Sequence, residues 1–143
     1  MNVTFRPARP TDAEAIVPRL RARDLEGLRT AGDPVEVVQC GLQFSIYSIA
    51  ALADDEIAVL WGVRVCTLLD DRAYLWMLGT RVVDEHPIHM LRHSRAAVKI
   101  MRERYSLVYG EVACDFEKSI RWLTWLGAKI QAGPAADRMV FSL

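Results

Sequence analysis

The sequence predicts an α/β fold, a mixed and mainly antiparallel twisted sheet flanked by helices. Two observations carry this. Residues 47–53, 57–69 and 73–83 are rich in branched and aromatic side chains, and two short turn-forming runs separate them: Asp54, Asp55 and Glu56, then Asp70, Asp71 and Arg72. That is the pattern of an antiparallel meander. Residues 107–113 read as a further strand after a helix of about four turns, and a crossover of that length can return the chain parallel to an earlier strand.

Each element has its own signal. Residues 3–6 form a short strand ended by Pro7 and Pro10. Thr11 with Glu14 makes a capping box, so a helix starts there and runs through Ile16 and Leu20, with Pro18 kinking or ending it. The Arg- and Gly-containing stretch that follows reads as a linker. Asp33, Pro34 and Glu36 supply an N-cap, a proline at the first helical position and a capping acid for a helix to about Phe44, facing inward with Val35, Val38 and Leu42. After the meander, Pro87 opens a helix in which Ile88, Leu91, Ser94, Val98, Met101 and Tyr105 share one face, while Arg92, Arg95, Lys99 and Arg102 lie on the other. A last helix over 116–126 stops at Gly127, and residues 130–132 and 138–143 close the chain as a strand pair around Gly133 and Pro134.

With 143 residues and 52% hydrophobic content, one domain spanning 1–143 can bury a core without metals or disulfides. Lys+Arg and Asp+Glu stand at 18 each, which argues against nucleic acid or an anionic membrane as a bulk electrostatic partner. Cys40, Cys66 and Cys114 are odd in number and form no CxxC, so reduced thiols in a cytoplasm are expected. MNVTFRPARP lacks the apolar core of a signal peptide, and the longest apolar run, 57–63, is too short to cross a bilayer.

The most informative stretch is 73–104: a buried strand interrupted by Gly79, the charged turn DEHPIH, and the helix from Pro87. A helix that begins just past a central strand directs its free N–H groups and positive dipole end at whatever lies there, and an anion is the natural ligand.

The element order, together with CDFEKSIRWLTWLGAKI after the strand at 107–113, resembles the GCN5-related N-acetyltransferase (GNAT) superfamily. LRHSR and SIRWLTWLGA, within 79–127, resemble more narrowly a GNAT-like group encoded by tailed bacteriophages. The resemblance implies an acyl-CoA-dependent N-acyltransferase. Acetyl-CoA or another acyl-CoA is then the donor, a small molecule or protein the amine acceptor, and transfer is direct in a ternary complex. It implies Leu78, Gly79, Thr80, Val82 and Val83 as the wall for the pantetheine arm. It implies Ile88, His89, Met90, Leu91 and Arg92 for the pyrophosphate, with Ser94 and Arg95 as side-chain contacts. The sequence also departs from the family. DEHPIHML contains no glycine where the family has its glycine-rich phosphate loop, Phe116 replaces an asparagine, and Leu123 replaces the tyrosine that protonates the departing thiolate. These departures keep a rival open: a catalytically silent phage protein that binds a host or virion protein in the host cytoplasm.

Transfer to an amine needs a proton acceptor and a group to protonate the thiolate. Alternation on the strand at 107–113 puts Tyr109, Glu111 and Ala113 on one face. Glu111 is the candidate base, against a reading in which it pairs with an arginine at the sheet surface. Tyr109 can stand in as proton donor, and Cys114, beside Asp115, is the candidate nucleophile or a plain apolar side chain. His86, His89 and His93 have spacings that a metal site would use, but exposed histidines near phosphate fit better and no metal is assigned. Trp122 and Trp125 are either core or a patch for a partner protein or a second copy of the chain. Arg19, Arg21, Arg23 and Arg29 are either a solvated face or, by the resemblance, the border of an acidic acceptor.

Overall fold

A computed structural model describes residues 1–67 and 69–143. Its strands form one seven-stranded sheet in the order β1-β2-β3-β4-β5-β7-β6, with β1 and β6 outermost. They are β1 (Val3–Pro7), β2 (Tyr47–Ala53), β3 (Glu56–Arg64), β4 (Arg72–Gly79), β5 (Leu107–Ala113), β6 (Lys129–Ala132) and β7 (Arg138–Ser142). The β4–β5 pairing is parallel, whereas β1–β2, β2–β3, β5–β7 and β6–β7 are antiparallel. The expected mixed, mainly antiparallel α/β architecture is therefore the observed one. By internal contacts the chain divides into two compact units, Met1–Arg64 with Met77–Pro87, and Val65–Trp76 with Ile88–Leu143.

In the first unit, α1 (Asp12–Ile16) starts directly after Thr11, where the capping box places it, but Thr11 makes no side-chain cap bond. The Asp12 carboxylate accepts the Arg9 N–H at 2.7 Å and both Arg6 guanidinium nitrogens at 2.8 and 2.7 Å, charge-assisted bonds that tie the helix start to the chain before it. They also hold the Asp12 carboxyl below its ordinary range, the Arg6 hydrogen bond most of all. A 3₁₀ turn over Val17–Arg19 follows, as Pro18 requires. The expected linker is instead a helix, α2 (Ala22–Arg29). The α3 helix (Pro34–Phe44) starts as predicted, with Asp33 accepting from the Glu36 N–H at 3.2 Å, and of the three residues expected to face inward Val38 is buried and Val35 and Leu42 half-buried.

The β2–β3 hairpin turns at Asp54 and Asp55, both at positive φ (50° and 67°), where a mirror-image turn matches the strand twist. β3 stops at Arg64, short of the predicted 69. Val65, Cys66, Thr67 and Leu69 are not strand, and Leu68 lies outside the described residues. β4 also ends early, at Gly79 rather than Val83. Thr80 leads into a short helix, α4 (Arg81–Glu85), so Val82 and Val83 are helical and not part of a strand wall. The Thr80 N–H and hydroxyl both donate to the Ala58 carbonyl on β3, at 3.0 Å each, which fixes the exit of the strand and overrides the β preference of the two valines.

In the second unit, α5 (Pro87–Arg104) buries Val98 and Met101, with Tyr105 buried just beyond its end. Its first turn does not share that face: Ile88, expected inward, is 70% exposed, while Leu91 and Ser94 are half-buried. β5 alternates cleanly, with Val108, Gly110 and Val112 buried. Gly110 is required there, because a Cβ would lie 2.5 Å from the Phe141 ring and 2.6 Å from the Leu75 carbonyl oxygen. α6 (Glu117–Trp125) ends at Gly127, whose φ of 95° favours glycine. Leu123 is its buried anchor.

Candidate active site

The end of β4 lies in the first unit. A trans peptide sets the Gly79 carbonyl and the Thr80 N–H on opposite edges of the strand. Since the Thr80 N–H bonds to Ala58 of β3, the Gly79 carbonyl faces the edge away from β3. There it accepts the Arg21 backbone N–H at 3.0 Å, and Leu20 makes an isolated antiparallel bridge to Thr80. The Gly79 N–H donates to the Asp24 carboxylate at 3.4 Å. The segment leading into α2 thus acts as a short surrogate strand on that edge.

Arg21 organises this corner. Only 9% exposed, it donates from Nε to Asp24 at 2.7 Å and from Nη1 to Asp84 of α4 at 3.3 Å. A Cβ on Gly79 would sit 3.1–3.2 Å from Val83 and the Arg21 guanidinium, so the missing side chain is what lets the guanidinium lie against the strand. Two carboxylates share one cation. Burial pushes the Asp24 carboxyl above its ordinary range, opposed by Arg21 and by the Gly79 N–H. Residue patterning alone missed this cluster. Its one trace was the i, i+3 spacing of Arg21 and Asp24, a helical ion-pair spacing inside what reads as a linker.

The arginines near α2 are not an open basic face. Arg19 pairs with Glu56 at 2.7 Å, Arg21 with the two aspartates, and Arg23 with Glu26 at 3.6 Å. Arg29 is exposed.

In the second unit, the parallel ladder between β4 and β5 has three registered pairs, Arg72↔Leu107, Ala73↔Val108 and Tyr74↔Tyr109, and ends there. The Tyr74 and Tyr109 rings meet edge to face, centroids 5.5 Å apart. Glu111 is two residues on and on the same face, exposed, with Arg138 Nε 3.6 Å from its carboxylate, which is the surface pairing that the sequence left open for it. Cys114 is exposed, its Sγ 4.0 Å from the Ala136 carbonyl. The β4–β5 register brings Tyr109 to Tyr74, and the β5–β7 register brings Glu111 toward Arg138 by pairing Glu111↔Val140 and Ala113↔Arg138.

The α5 start carries His89, Met90 and Leu91 half-buried and Arg92 exposed. Arg92 has no ion-pair partner among the described residues. The other two polar candidates are engaged within the chain: the Ser94 hydroxyl donates to the Met90 carbonyl at 2.6 Å, and the Arg95 guanidinium lies 4.2 Å from the centre of the Trp125 ring. Trp125 itself is 47% exposed, and Trp122 is half-buried with its indole N–H buried and unbonded. Among the described residues no three His, Cys, Asp or Glu side chains are grouped to hold a metal ion. Nor is any helix among them long and apolar enough to cross a membrane.

The sequence matches no protein-family model and no curated protein. Solved structures match the fold over nearly its whole length. The acetyltransferase of the GNAT family from Streptococcus pneumoniae superposes with a TM-score of 0.70 at 14% identity over 99% of both chains. The GNAT domain of S. lividans PAT gives 0.72 at 18% identity over 99% of this chain and 89% of that one. RimL, a ribosomal L7/L12 alpha-N-protein acetyltransferase in complex with coenzyme A, gives 0.71 at 11% identity over 99% and 93%. These are likenesses of architecture, and by them the chain has the GNAT fold.

Proposed function

We propose that the protein is an acyl-CoA-dependent N-acyltransferase, with acetyl-CoA as donor and an amine as acceptor. The observation that carries the reading is the parallel β4–β5 ladder, which stops after Tyr74↔Tyr109 in a fold whose solved neighbours are acetyltransferases, one of them holding coenzyme A. β4 runs on past that point, and Leu78, Gly79 and Thr80 at its end are the wall that the donor's arm follows. Val82 and Val83, being helical, support α4 instead. The first turn of α5, residues 88–92, takes the pyrophosphate through backbone N–H groups, and the exposed Arg92 guanidinium adds charge. Ser94 and Arg95 contribute less, because each already has a partner in the chain.

Bound acyl-CoA supplies an activated thioester to the amine. Of this chain's residues, Glu111 accepts the ammonium proton and Tyr109 donates one to the leaving sulfur, while Cys114 is a bystander. Arg138 keeps the Glu111 carboxylate oriented on the β5 surface. The three free, exposed cysteines fit a reducing cytoplasm.

A second reading, in which the fold binds a protein and catalyses nothing, is favoured by one observation: the Gly79 carbonyl and N–H are already bonded within the chain. The resemblance to the phage-encoded group makes a host protein the partner in that case. Calorimetric titration with acetyl-CoA and with CoA separates the readings. Micromolar binding, weakened about tenfold or more by Arg92→Glu with no loss of thermal stability, supports the transferase. No binding at millimolar ligand leaves the second reading.

A further inference from the structure

We propose that Asp24 is a built-in competitor of the acyl donor: its carboxylate, fixed by Arg21, occupies the Gly79 N–H on the edge of β4 away from β3, beside the Leu20–Arg21 segment, and acyl-CoA reaches that N–H only by displacing it. The inference rests on the donor reading of β4 given above and adds what governs donor affinity.

Gly79 is buried, and a buried N–H without an acceptor is costly, so the empty protein needs a group at this position. Asp24 supplies it. The bonds around Asp24 are unequal. Its contact with Arg21 Nε is 2.7 Å, whereas its contact with the Gly79 N–H is 3.4 Å, the longest of the set. Arg21 is in turn held from its other side by Asp84 at 3.3 Å and along its own backbone by the Gly79 carbonyl at 3.0 Å. When a ligand oxygen takes the Gly79 N–H, Asp24 retains its ion pair and no buried charge is orphaned. A weak bond offered by a firmly held group is what an exchangeable internal ligand requires. A side chain placed only to brace α2 would have no need to reach the strand amide.

The test is calorimetric titration of acetyl-CoA into the wild-type protein, Asp24→Ala and Asp24→Asn, with thermal melts of each. Asp24→Ala frees the Gly79 N–H while Arg21 keeps Asp84, so affinity should rise roughly three- to tenfold. Asp24→Asn retains a weaker, neutral acceptor and should give a smaller gain; it carries the test alone if the alanine variant does not fold. Equal affinity in all three proteins overturns the inference and leaves the donor reading standing. Weaker binding by the variants also overturns it, because Asp24 would then be supporting the donor. No binding by any of them at millimolar acetyl-CoA removes the donor reading itself, and the inference with it.

Discussion

The end of β4 and the surface of β5 both present an arginine beside a carboxylate, and the two are built in opposite ways. At β4, Arg21 is 9% exposed and sits 2.7 Å from Asp24, with Asp84 as a second partner. On β5, Arg138 and Glu111 are each more than a third exposed and stand 3.6 Å apart. Burial makes the Arg21–Asp24 pair obligatory, since either member left alone would be a charge in a poorly solvated place, whereas water can replace either partner of the second. The β4 corner is therefore a fixed frame, and the β5 pair is one whose partners can part at little cost.

The largest expected difference is in stability. Arg21→Ala takes the cation from the Asp24 carboxylate and should cost about 3–5 kcal/mol, against about 0–1 kcal/mol for Arg138→Ala, compared by chemical denaturation. Similar losses for the two variants would erase the contrast. Gly110→Ala tests the rigidity beneath the exposed β5 face, because its new Cβ meets the Leu75 carbonyl oxygen and the Phe141 ring. A loss of about 1–3 kcal/mol is expected, with Arg138→Ala again the mild control.

A smaller effect separates two ion-paired aspartates by sign. The Asp24 carboxyl is raised in the folded state, chiefly by burial, so it binds protons more tightly folded than unfolded. Its contribution to stability then falls as pH rises from the ordinary carboxylate value through the raised one. Asp12 is lowered, chiefly by its Arg6 hydrogen bond. Its contribution is full above the ordinary value and is lost as pH falls through the lowered one. Denaturation of Asp24→Asn and Asp12→Asn between about pH 3 and 7 should show the first variant improving relative to wild type as pH rises and the second worsening. Parallel trends would mean that burial does not dominate at Asp24.

What could be read in the sequence was what depends on neighbours along the chain. Asp33, Pro34 and Glu36 specify a helix start within four residues, and Asp54 and Asp55 specify a hairpin, so both came through intact. The end of β4 did not, because Val82 and Val83 have strand propensity, and what makes them helical is the bonding of Thr80 to Ala58, 22 residues earlier. Thr11 precedes the helix as expected without making a cap bond, and the Asp12 carboxylate is taken up by the guanidinium of Arg6 on another element, a pairing no local pattern announces. The candidate site divides likewise. The alternation that put Tyr109 and Glu111 on one face is local, and Arg138 reaches Glu111 through the β5–β7 register. The Arg21 cluster joins residues 21, 24, 79 and 84 and leaves almost no local trace.

The outermost strands have a consequence for self-association. β1 ends in Pro7, which has no N–H to offer, and carries Arg6. β6 is only four residues long, begins with Lys129 and runs into Gly133 and Pro134. Short length, basic side chains and proline are the devices that discourage sheets from adding to one another edge to edge. Edge-to-edge addition is thus discouraged at both outermost strands of this sheet.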